Sequence, residues 1–134
     1  MIAAAFSISV AGSLFYSGSN LSLNTTGVNS PNVGATYRYK GRIGTNRVTF
    51  EYQFAVYQGE VYDEELFYCY DNVGKNISLR RTGKNGRYTV FKEYVNGRHT
   101  GTFTIIITPQ SITGSFVNYR GQTFNVSASV VSHR

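Results

Sequence analysis

Residues 2 to 16 alternate. The even positions read Ile2, Ala4, Phe6, Ile8, Val10, Gly12, Leu14 and Tyr16, and the odd ones are Ala, Ser and a single Phe. A period of two is the signature of a strand with one buried face. Gly12 is expected to bend or divide this strand, which exceeds the usual strand length. The stretch from Asn24 to Gly34 is rich in Asn, Thr, Ser, Gly and Pro and is predicted to be a loop. Alternation then returns and persists. Strands are predicted over 37–43, 47–57, 61–70 with a bulge at Asp63-Glu64-Glu65, 76–81, 87–95, 99–108, 112–119 and 123–131. The clearest carries Val48, Phe50, Tyr52, Phe54 and Val56 on one face. Loops are expected at Gly83-Lys84-Asn85-Gly86 and Asn96-Gly97, because Asn-Gly supplies the positive φ that tight hairpins need.

About eight to nine short strands joined by short turns make an all-β antiparallel meander. Closure into a barrel removes exposed edges and is the expected architecture, with a two-sheet sandwich as the alternative. The 134 residues form one domain: a charge-free strand region over 1–23, a loop over 24–34 and the meander over 35–134.

Lys40-Gly41-Arg42-Ile43-Gly44, Tyr68-Cys69-Tyr70, Ile77-Ser78-Leu79, Glu93, Thr100-Gly101-Thr102-Phe103 and Ile112-Thr113-Gly114-Ser115-Phe116 follow one another in order. This series resembles the meander β-barrel-like domains of secreted or periplasmic bacterial proteins of undefined function. Its Gly-x-Phe strands are distantly similar to avidin-like barrels. The chain departs from that family in having no Trp, which the family's biotin pockets use as walls, so the resemblance carries over no binding residues. It implies an extracellular or periplasmic location.

Composition agrees with strands. There are 11 Tyr and 9 Phe, and charged residues make up only 15% against a usual share of about 25%. The sole cysteine, Cys69, rules out an intrachain disulfide and is expected to be a small buried hydrophobe. His99 and His133 have no orienting partner nearby in sequence and are expected on the surface. Asp63-Glu64-Glu65 is the only dense acidic group, but consecutive side chains on an extended segment point in alternate directions and do not converge on a metal ion. Glu51 and Glu93 would serve as a hydrolytic pair only if the fold set them face to face across a cleft. No catalytic residue, cofactor or metal site is legible, and a non-enzyme is expected. No run reaches the roughly 20 apolar residues of a membrane helix, and membrane insertion is not expected. The apolar stretch from Met1 to Phe15 lacks the leading Lys or Arg of a signal peptide and is expected to belong to the folded domain.

Net charge is +6. Arg80, Arg81, Lys84, Arg87, Lys92 and Arg98 crowd around the two Asn-Gly hairpins together with Tyr88, a mixture of cations and aromatics suited to an anionic partner. Two roles follow. The first is a binding module for a protein or glycan, with nucleic acid less favoured. The second is a self-assembling subunit of a filament, surface layer or particle. In it Ile2, Phe6, Ile8, Val10, Leu14 and Tyr16 would form a strand added to the sheet edge of another copy.

Overall fold

The computed structural model describes residues Val33–His133, within which eight strands follow in order: β1 (Val33–Ile43), β2 (Asn46–Tyr57), β3 (Glu60–Tyr70), β4 (Ile77–Asn85), β5 (Tyr88–Val95), β6 (Arg98–Ile107), β7 (Ser111–Asn118) and β8 (Thr123–His133). Each pairs antiparallel with the next, and β8 returns to pair with β1, closing one barrel rather than two sheets. The alternating segment at residues 2–16 lies outside the described residues.

Why these residues close a barrel is plain along β2. Val48, Phe50, Tyr52 and Phe54 are buried, while Thr49, Glu51 and Gln53 between them are half-exposed. The same parity turns Tyr37, Tyr39 and Ile43 inward from β1, Leu66 and Tyr68 from β3, and Phe91 from β5. Phe103, Ile105 and Ile107 do so from β6, and Ile112 and Phe116 from β7. An eight-stranded barrel has an interior that side chains can fill. Here aromatics pack on one another across it. Tyr37 stacks on Phe54 (6.0 Å), Phe50 meets Tyr68 (5.8 Å) and the edge of Phe103 (6.1 Å), and Phe103 meets Phe116 (4.5 Å). Each such side chain taken from water contributes about 1.5–3 kcal/mol.

Several strands run longer than their alternation suggests. Val33 and Gly34, expected in a loop, pair with Val56 and Ala55. Lys84 and Asn85, also expected in a loop, pair with Thr89 and Tyr88, so the β4–β5 turn is only Gly86-Arg87. A wall strand flanked by partners keeps pairing where its own pattern lapses. The Asn96-Gly97 turn is as expected, with both residues at positive φ (53° and 78°). The bulge at Asp63-Glu64-Glu65 is present as well: Gln53 pairs with Glu65 and Ala55 with Tyr62, and Asp63 has φ 55°.

Burial of tyrosines ties stability to alkaline pH. Desolvation pushes the Tyr37 hydroxyl up to about 12 and Tyr39 and Tyr52 well above the usual tyrosine value. The Tyr39 hydroxyl also donates to the Thr108 carbonyl at 2.7 Å. The folded state keeps these protons at a pH where the unfolded chain releases them. Stability is therefore whole below about pH 10 and is lost as pH rises from about 10 towards 12. A urea-midpoint series across pH 8–11.5 is expected to be level and then to fall steeply; a flat profile would contradict the burial of these hydroxyls.

Candidate functional site

One charged side chain among the described residues is buried. Glu93 on β5 stands at an inward position between Phe91 and Val95 and is 6% exposed. Its carboxylate accepts a hydrogen bond from the Tyr68 hydroxyl and one of 2.6 Å from Thr100 Oγ1. Thr100 reaches it because β5 and β6 slip register between Glu93 and Tyr94, which leaves Thr100 without an opposite residue. Tyr70, half-buried near the end of the barrel, hydrogen-bonds Tyr68. Burial first, and the bond to Glu93 second, hold the Tyr68 hydroxyl far above the usual tyrosine range. The sequence held the signal in the parity of Phe91, Glu93 and Val95. Glu51, the other half of the conjectured acidic pair, faces outward and reaches Arg38 at 3.9 Å, so the two carboxylates stand on opposite sides of the wall.

On the outer face, charge is segregated. Of the seven acidic residues, Glu51, Glu60, Asp63, Glu64, Glu65 and Asp71 lie on β2, β3 and the turn after it, and the seventh is the inward Glu93. Two of the three cations of β1 are matched to them, Arg38 to Glu51 and Lys40 to Asp71 at 3.5 Å, while Arg42 donates to the Thr45 carbonyl. Thr49 Oγ1 also donates to Asp71 at 2.8 Å, and that bond, with the nearby Lys40, holds the Asp71 carboxyl below the usual range. From β4 onward the outer wall carries cations and no carboxylate.

The structure brings Arg80 and Lys92 together on this face. Arg80 and Lys92 are directly opposed on β4 and β5. Like charges so placed repel, their Cβ atoms being about 5 Å apart. The Arg80 guanidinium lies 4.6 Å from the centroid of the Tyr94 ring. His99, expected merely at the surface, packs against the same ring at 5.5 Å, and its Nε2–H donates to the Gly101 carbonyl (2.9 Å). Lys84, Arg87 and Tyr88 are exposed at one end of the hairpin and Arg98 at the other. Among the described residues, Arg80, Lys84, Arg87, Lys92 and Arg98 stand in no ion pair.

Arg81 is a correction. It is one residue out of phase with Arg80, opposes the buried Phe91, and turns to Glu64 at 3.5 Å, so it is not part of the unpaired face. That ion pair spans the weakest seam of the wall: β3 and β4 pair only at Leu66–Leu79, Phe67–Ser78 and Tyr68–Ile77. Both strands bulge just beyond it, and the Tyr52 hydroxyl hydrogen-bonds Glu64 from the interior. Cys69, expected to be buried, is half-buried on β3 because it falls on the outward parity between Tyr68 and Tyr70.

Fold and surface together define a closed eight-stranded antiparallel meander barrel with an aromatic-rich interior and a polarised outer wall. Comparison of the chain with known protein families, with curated proteins and with solved structures gives no match.

Proposed function

We propose that the protein is a non-enzymatic, extracytoplasmic binding module that takes an anionic partner on the outer face of β4 and β5. The observation that carries this reading is the Arg80–Lys92 pair. Two cations are held side by side in register, with Arg80 fixed on Tyr94, neither in an ion pair, and Glu64 on the neighbouring strand taken by Arg81. Such an arrangement costs folding free energy unless an anion relieves it.

The test is binding of a heparin oligosaccharide by the full chain, read by calorimetry over a salt series. Arg80→Glu with Lys92→Glu is expected to weaken binding at least about tenfold and to flatten its salt dependence. The control is Arg42→Glu with Arg120→Glu, which makes the same change in net charge elsewhere and should have a much smaller effect. Equal losses in the two double variants would sink the proposal.

The self-assembly reading draws on the β3–β4 seam. Addition of a strand built on Ile2, Phe6, Ile8, Val10, Leu14 and Tyr16 needs an unpaired edge. In this closed wall the residues on either side of the seam beyond Leu66 and Leu79 supply one. Sizing the full chain beside a chain lacking residues 1–18 tests it: two folded monomers would end that reading.

A further inference from the structure

Beside the basic face, the outer wall over β6, β7 and β8 carries a groove of about 480 Å³ with Tyr88 at its edge. Strand parity makes it. Thr104 points outward between Phe103 and Ile105, Thr113 and Ser115 flank Gly114, and Asn125 and Ser127 flank Val126. Thr104 is opposite Ser115, and Ser115 is opposite Asn125. Three polar side chains thus stand in line across three strands, roughly 4.8 Å apart. The dip between them is set by Gly114. At φ 148° it brings β7 so close to β6 that a Cβ there would meet the Thr104 carbonyl oxygen at 2.2 Å.

The polar groups of this row are open to a ligand. Some polar side chains of the wall are taken up by one another: Lys40 donates to Thr49 (2.9 Å), Gln53 to Glu51 (2.6 Å) and Asn118 to Gln122 (2.9 Å). Among the described residues, the side chains of Thr104, Thr113, Ser115, Asn125 and Ser127 hydrogen-bond nothing. Tyr88, 41% exposed, makes no ring contact.

The chemistry of the lining selects the ligand. An apolar molecule would strand five hydroxyl and amide groups that can each donate and accept. A small ion would need a formal charge, which the groove lacks. A saccharide chain fits both features. Its hydroxyls exchange hydrogen bonds with Ser, Thr and Asn, and the C–H face of a ring lies on the tyrosine, whose apolar body and polar tip suit such contacts. Lys84 and Arg87 bracket the turn that presents Tyr88, so a chain leaving the groove at that end meets cations.

We propose that this groove binds a polysaccharide bearing carboxylate or sulfate groups, with sugar rings over β6–β8 and charges against the β4–β5 hairpin. The saccharide assignment stands on the groove alone; the charge of that saccharide rests on the reading of the basic face.

The test is calorimetric titration of the full chain with an oligouronate and with a neutral gluco-oligosaccharide of equal length. The oligouronate is expected to bind. Ser115→Trp, which fills the groove from an outward strand position, should weaken it at least about tenfold, as should Tyr88→Ala. Unaltered urea midpoints would show that both variants fold. Oligouronate binding that is indifferent to Ser115→Trp and Tyr88→Ala but lost in Arg80→Glu with Lys92→Glu overturns the groove and leaves the basic face standing. Binding of the neutral sugar, abolished by Ser115→Trp and accompanied by no oligouronate binding, supports the groove and overturns the charged ligand. Binding of neither sugar overturns the proposal.

Discussion

Gly41→Ala is expected to destabilise the barrel by about 3 kcal/mol or more, the upper range for forcing extra atoms into a packed site. A Cβ on residue 41 would lie 1.9 Å from the Ser127 carbonyl oxygen and 2.4 Å from Ala128 Cα. Both are backbone atoms of β8, and Gly41 pairs with Ala128 where the barrel closes. No rotamer change relieves the contact, so the closure itself must shift. Set against a usual total of about 5–15 kcal/mol, this loss is a large share. Gly83→Ala is the matched control, since a Cβ there meets nothing within 4 Å. Urea unfolding of the two variants should show a large fall in midpoint for the first and little change for the second. Equal midpoints would mean that β1 and β8 do not meet as described.

The second large effect is expected at Glu93. In Glu93→Ala the Tyr68 hydroxyl loses its carboxylate acceptor inside the barrel, the Thr100 hydroxyl keeps only the residue-93 carbonyl at 3.3 Å, and a gap opens beside Leu79. Each stranded buried group costs about 1–3 kcal/mol, for a combined loss of about 2–5 kcal/mol. Glu93→Gln keeps an acceptor oxygen and the shape of the site, and should lose less than half as much. Denaturant unfolding of the three proteins checks the order wild type, Gln, Ala. An Ala variant as stable as wild type would remove Glu93 from the core.

Much of this architecture was legible in residue rhythm. Val48 to Val56 alternate without a break, and Asn96-Gly97 marks a tight turn by backbone chemistry alone, so strands and meander order follow from local rules. Closure is not local. The meeting of Gly41 with Ala128 joins distant segments, and only the close approach explains why residue 41 lacks a side chain. Phase errors explain the rest. Arg80 and Arg81 look alike in a list of basic residues, yet a single step in parity puts one on Tyr94 and the other against Glu64. Glu93 shares the phase of buried Phe91, and a carboxylate there interrupts the apolar alternation that marks a core position. The row of Thr104, Ser115 and Asn125 crosses three strands and exists only once their registers are fixed.

Partner recognition on the outer wall is the claim on which the functional account turns. Backbone amide chemical-shift mapping of the full chain, titrated with a heparin oligosaccharide, tests it most directly. Shifts should gather at Arg80, Lys92, Tyr94 and Thr102, with Thr36, Arg38 and Lys40 on β1, across the barrel, unmoved. Shifts centred on β1 and β2, or none at saturating ligand, would contradict it.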